Sequence, residues 1–89
     1  MQSTYLEVTF RRGLPLAAYL HLPRREGQRS HRTRELSPGL LVDFTRNGRP
    51  LGIEILAPSE VTVTAVNRVL RDLGMPILTR RDLAPLQAS

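Results

Sequence analysis

Eighty-nine residues, 40% hydrophobic and 24% charged, are enough for one small domain, and that balance excludes wholesale disorder. The net charge of +5 rests on thirteen arginines with no lysine, which excludes Schiff-base chemistry and a phosphate-loop lysine. Cysteine is absent, so no disulfide framework, thiol nucleophile or thiolate metal site can form.

No apolar run approaches the roughly 18 residues needed to span a bilayer, and Met1-Gln2-Ser3-Thr4 has no signal-peptide pattern. These features point to a cytoplasmic protein with no membrane association. A chain this short lies near the lower end of independent stability, and dimerisation would add burial.

The first strand is expected over about 5–10, where Leu6, Val8 and Phe10 alternate with polar residues. Arg11-Arg12-Gly13 supplies a turn. A second strand over about 16–22 sets Leu16, Ala18, Leu20 and Leu22 on one face and Ala17, Tyr19 and His21 on the other. From Pro23 to His31 apolar periodicity stops, which marks an exposed loop. A short third strand follows over about 32–36, and Ser37-Pro38-Gly39 turns the chain tightly.

The strongest local signal lies at Asn47-Gly48, between alternating runs over about 40–45 and 50–56. Both residues tolerate the positive φ of a two-residue type I′ turn, which sets Phe44 opposite Leu51, Val42 opposite Ile53 and Leu40 opposite Ile55. On the other face Asp43 falls opposite Gly52 and Leu41 opposite Glu54.

After Pro58 the period changes to 3.6. Thr62 is placed to cap a helix over about 63–73, whose apolar stripe is Val63, Val66, Val69, Leu70 and Leu73, with Thr64, Asn67, Arg68, Arg71 and Asp72 outside it. Gly74 and Pro76 end it. Thr79-Arg80-Arg81-Asp82 reads as a capping box opening a short helical turn over about 80–86. The expected fold is therefore α+β, one domain over 1–89: a five-stranded antiparallel β-meander with one C-terminal amphipathic helix packed on one sheet face.

Several of these segments resemble a known family. Ala18-Tyr19-Leu20-His21-Leu22, Gly39-Leu40-Leu41-Val42-Asp43-Phe44 and Gly52-Ile53-Glu54-Ile55-Leu56 are similar to the YuzE-like small prokaryotic proteins, a domain of unknown function. The resemblance covers roughly Val8 to Leu56 and implies a compact sheet followed by a helix. It also suggests an antitoxin-like role beside a small toxin. This chain departs from the family pattern at Phe10-Arg11-Arg12-Gly13-Leu14-Pro15, where relatives carry an acidic segment, and in its longer basic loop.

Three groupings carry chemistry or recognition. Arg24, Arg25, Arg29, Arg32 and Arg34 fall within eleven residues, with Arg11 and Arg12 a possible addition across the sheet. Such a cluster suits nucleic-acid phosphates or an acidic partner. A solvated loop, or the arginine bias of a GC-rich genome, accounts for it more simply. Stacking aromatics are few, since Phe10 and Phe44 are expected in the core, leaving Tyr5 and Tyr19.

Ala17, Tyr19, Leu41, Asp43 and Glu54, with Leu36 as a further candidate, make the face away from the helix more apolar than a bare solvent face requires, which suits a homodimer or a docked protein. His21, Asp43 and Glu54 could form a weak metal-dependent or acid-base site, against the alternative that these carboxylates pair with Arg32 or Arg34. No sequence motif calls for a cofactor, a bound metal or a catalytic residue. The reading is a non-enzymatic interaction module, with nucleic-acid binding as the alternative.

Overall fold

Five segments of alternating polarity form five strands: β1 (Tyr5–Arg11), β2 (Leu14–His21), β3 (Arg32–Ser37), β4 (Leu40–Phe44) and β5 (Pro50–Ile55). Helix α1 (Val63–Asp72) follows, with single 3-10 turns at Pro58–Glu60 and Ala84–Gln87. The computed structural model describes residues 3–87, so Met1, Gln2, Ala88 and Ser89, the ends of the expected 1–89 domain, lie outside the described residues. All strand pairings are antiparallel, and the architecture is α+β as the periodicities require.

The order of strands across the sheet, β1-β2-β5-β4-β3, corrects the expected meander. Strands β3, β4 and β5 are joined by local turns, but β2 returns beside β5, which makes β2 to β5 a Greek key with β1 added as a hairpin arm. The physical reason lies in β5, where Leu51, Gly52 and Ile53 are consecutively buried and Ile55 is fully buried. A strand this apolar belongs inside the sheet, with a neighbour on each edge, rather than at its margin. Pairing Leu20 with Ile53 and Ala18 with Ile55 extends the apolar surface, whereas β3 offers the exposed run Arg32-Thr33-Arg34-Glu35. The connection from β2 to β3 passes the β4–β5 turn, held by Leu22 N–H to Leu51 O at 3.0 Å and His31 N–H to Phe44 O at 2.8 Å.

The β4–β5 register matches expectation at four pairs: Leu40 with Ile55, Leu41 with Glu54, Val42 with Ile53 and Asp43 with Gly52. The turn does not. Gly48 has φ +87° but Asn47 is not left-handed, Gly48 N–H donates to Thr45 O at 3.0 Å, and Thr45 N–H donates to Arg49 O at 2.8 Å. The loop is thus Arg46-Asn47-Gly48, a turn followed by one left-handed glycine, and Phe44 faces Pro50 rather than Leu51. A bulge at Leu51 then absorbs the extra residue and restores the core register. The two-residue loop with positive φ at both positions occurs instead at Arg12 (φ +53°) and Gly13 (φ +78°), between β1 and β2.

Helix α1 lies on the sheet face made by Leu20, Leu40, Val42, Ile53 and Ile55, presenting Val66, Val69 and Leu70. Each such side chain contributes about 1.5–3 kcal/mol on full burial. Thr62 Oγ1 accepts from Ala65 N–H at 3.0 Å, capping the start. At the end Met75 N–H reaches Leu70 O at 2.8 Å and Gly74 N–H reaches Arg71 O at 3.0 Å, the paired bonds of a Schellman motif.

Asn67, expected on the solvent side, is buried. Its Nδ2 donates to Leu78 O and its Oδ1 accepts from Leu78 N–H, both at 2.8 Å. The amide mimics a strand partner and ties the C-terminal segment to the helix. That segment is opened by the expected capping box: Asp82 Oδ2 accepts from Thr79 N–H at 2.9 Å and Thr79 Oγ1 accepts from Asp82 N–H at 3.1 Å. These bonds to Thr79, the backbone one first, hold the Asp82 carboxyl below its ordinary range. Leu83 and Leu86 then close the core from below, each 2% exposed.

Candidate functional site

The sheet face away from α1 carries a line of side chains that crosses every strand. On β1, Glu7 Oε1 lies 2.8 Å from His21 Nε2 on β2. A carboxylate only accepts, so Nε2 carries the proton. Arg24 Nη2 lies 3.4 Å from Nδ1, and a ring protonated at Nε2 alone satisfies both neighbours. Tyr5 stacks on the His21 ring at 4.2 Å between centroids and 9° between planes, as expected for residues directly opposite on β1 and β2. The Tyr19 ring meets the same imidazole at 4.7 Å.

From β2 the Tyr19 side chain reaches diagonally over β5. A Cβ at Gly52 would lie 2.5 Å from both Cζ and Oη of Tyr19, so the ring occupies the space that any other residue at 52 would fill. Beyond that glycine, Tyr19 Oη donates to Asp43 Oδ2 on β4 at 2.7 Å. The other oxygen, Oδ1, accepts from Thr33 Oγ1 on β3. Glycine at 52 is therefore the gap through which a tyrosine on one neighbouring strand meets a carboxylate on the other. Burial raises the Tyr19 pKa well above the usual phenol range, and the bond to Asp43, with the charge of that carboxylate, raises it further. Asp43 thus keeps a protonated phenol as its donor over the whole physiological range.

Residues 17–59 match the family model described as "Protein of unknown function (DUF2283)". No curated protein and no solved structure matches the chain. The matched segment holds Tyr19, His21, Thr33, Asp43, Gly52 and Glu54, while β1 and α1, with Glu7 and Asn67, fall outside it.

Ala17, Tyr19, Leu41, Asp43 and Glu54 share this open face by register, with Tyr19 opposite Glu54 and Leu41 opposite Glu54 from the two sides. Leu36, a further candidate there, packs against the helix-side core, because it alternates in phase with Arg34, the partner of the buried Val42. Phe10, expected in the core, is 49% exposed, and Leu16 is 52% exposed, because β1 and the first half of β2 extend past the end of β5 and beyond the reach of the helix.

His21, Asp43 and Glu54 do not converge: His21 is engaged by Glu7 and Arg24, and Asp43 by Tyr19 and Thr33. Among the described residues no group of three His, Asp or Glu side chains is close enough to hold a metal ion.

The arginines also divide. Arg32 and Arg34 pair with Phe44 and Val42, which turns them to the helix side, whereas Thr33 is the β3 residue that faces Asp43. Arg24 lies on the open side beside His21, with its Nε buried and unpartnered, and Arg25 and Arg29 are exposed on the loop. Arg11 and Arg12 stand at the opposite end of β2 from that loop, so the seven do not form one patch.

Sequence reasoning missed the Tyr19–Gly52–Asp43 line. Its signal was present, since a glycine inside an otherwise apolar strand marks a close approach of another group, but the meander order put β2 away from β5.

Proposed function

We propose that this chain is a non-enzymatic interaction module that docks a protein through the open sheet face, in an antitoxin-like role beside a small toxin-like protein or as a homodimer. The observation that carries the reading is the engagement of the polar groups on that face. Tyr19, His21, Glu7, Asp43 and Thr33 spend their hydrogen bonds on one another and hold a fixed surface, with Leu41 and Ala17 between the charged groups. General acid-base work needs a group whose proton is free to move to substrate; recognition needs a preorganised mixture of apolar and satisfied polar area. The partner is a small protein, or a second copy of this chain, with a complementary apolar patch rimmed by basic groups for Asp43 and Glu54.

The test is a photo-crosslinking amino acid at position 41, compared with one at the exposed Thr64 on α1, followed in cells. A discrete adduct at 41 that is absent at 64, and lost when Tyr19→Ala is added, is the expected result. No adduct at 41 beyond that at 64 would overturn the proposal.

A second reading, nucleic-acid binding, is favoured by one observation: Arg25, Arg29, Arg32 and Arg34 are exposed, and among the described residues none of them has a carboxylate within 4.0 Å. Binding through Arg25, Arg29, Arg32 and Arg34 would weaken with salt at a log-log slope of about −0.9 per phosphate contacted. Negligible affinity for single- or double-stranded nucleic acid at ~50 mM salt would end it.

A further inference from the structure

The two edges of the sheet differ. Edge β3 presents Arg32 and Arg34 and contains an irregularity before Ser37, both of which discourage pairing with another strand. Edge β1 instead carries one charge of each sign, Glu7 and Arg11, and no bulge of its own. The bulge of the β1–β2 hairpin lies in β2, at Leu16, so β1 runs straight through seven residues, Tyr-Leu-Glu-Val-Thr-Phe-Arg, with one side unpaired. Its end carries Phe10 at 49% exposure, beside Leu14 at 58% and Leu16 at 52%.

We infer that β1 is a self-association edge, pairing antiparallel with β1 of a second copy about a two-fold axis at Thr9. Charge selects both the occupant and the register. In that alignment Glu7 of each copy faces Arg11 of the other, so two opposite-charge pairs form at once on the open-face side, and Val8 faces Phe10 twice on the other side. A shift of one pairing step either way separates Glu7 from Arg11. The Glu7 carboxylate keeps one oxygen for this pair, because its contact to His21 uses Oε1 and its side chain is 67% exposed. The product is a continuous ten-stranded sheet, with Phe10 covered by the neighbouring Val8. The inference concerns the edge of the sheet, and it stands or falls separately from docking on the open face.

The absence of cysteine makes the test direct. Single cysteines are placed at 8, 9 and 10 in the full chain, and disulfide formation under mild oxidation is compared. Opposed residues on an antiparallel pair have Cα atoms about 4.5–5.5 Å apart, within disulfide range. Thr9→Cys should crosslink efficiently. Val8→Cys and Phe10→Cys, each offset by two residues from its own copy, should crosslink poorly, and Tyr5→Cys, about 27 Å from its equivalent at 3.4 Å per residue, should not crosslink.

In sedimentation equilibrium, Arg11→Glu, which leaves the Glu7–His21 contact in place, should raise the dimer Kd about 10- to 30-fold. Adding Glu7→Arg should restore it. Circular dichroism of each variant confirms folding. Crosslinking that peaks at 8 or 10 would overturn the register, and a wild-type monomer at high micromolar concentration with no crosslink at any position would overturn the edge. Leu41→Arg should leave the dimer intact; a monomeric Leu41→Arg would move self-association to the open face.

Discussion

Replacing Gly52 by alanine tests the line of side chains most directly. In a β-strand, alanine is favoured over glycine by roughly 0.5–1 kcal/mol, because glycine loses more backbone freedom on folding. Here the added methyl meets the Tyr19 ring, 2.5 Å from Cζ and Oη, and the ring cannot stay where it is. Moving it breaks the bond from Tyr19 Oη to Asp43, and a hydrogen bond to a charged group is worth about 1.5–3 kcal/mol. The net expectation is a loss of about 0.5–2.5 kcal/mol, the second figure less the first. For a domain of this size that lowers Tm by roughly 4–8 °C per kcal/mol.

The decisive comparison is made in a Tyr19→Ala background, where the obstacle is gone. Gly52→Ala should there become stabilising by about 0.5–1 kcal/mol. Urea denaturation followed by circular dichroism measures all four corners of the cycle. If Gly52→Ala has the same sign and size in both backgrounds, the ring does not lie over the glycine and the reasoning fails.

Other outcomes follow from the same structure. The raised pKa of Tyr19 gives a stabilisation that is fully present below the unfolded tyrosine pKa of about 10 and is lost as pH rises toward the higher folded value. Wild-type stability should therefore fall between pH 10 and 12 more steeply than that of Tyr19→Phe, and parallel curves would contradict it. Asn67→Ala leaves both backbone groups of Leu78 without their partner and should cost about 2–3 kcal/mol, with loss of amide-exchange protection at Leu78. Gly48→Ala, at φ +87°, should cost about 1–2 kcal/mol by denaturant titration, whereas Asn47→Ala, not left-handed, should cost less. Ile53→Ala, fully buried beneath α1, should cost about 2–5 kcal/mol, and a value below 1 would mean that the helix does not cover this point of the sheet.

Much of the fold is legible in single residues. Alternation places the five strands, Thr62 and Gly74 bracket the helix, and Thr79 and Asp82 open the last turn, because each signal is local and acts through a few adjacent atoms. The β4–β5 register is legible too, although it is reached through a three-residue loop and a compensating bulge. What is not legible depends on distant partners. The choice of β2 as the neighbour of β5 is made by apolar area on two separate strands, and no turn motif records it. Asn67 reads as a solvent residue by periodicity alone, since its partner is the backbone of Leu78, which carries no residue-specific signal. The open face is half legible: Ala17, Tyr19, Leu41, Asp43 and Glu54 share it by parity, but the bond between Tyr19 and Asp43 requires the strand order.

The return of β2 to the side of β5 also sets a timetable for the nascent chain. The β1–β2 hairpin is made before β5 and until then meets no permanent neighbour, since its docking strand is completed only at Ile55. Until then the arm waits with Ala18, Leu20 and Leu22 uncovered, and the domain closes when two separately built pieces meet. A stop before residue 55 would release a hairpin with its oily side open, so the interval before β5 is made is the one most exposed to misassembly.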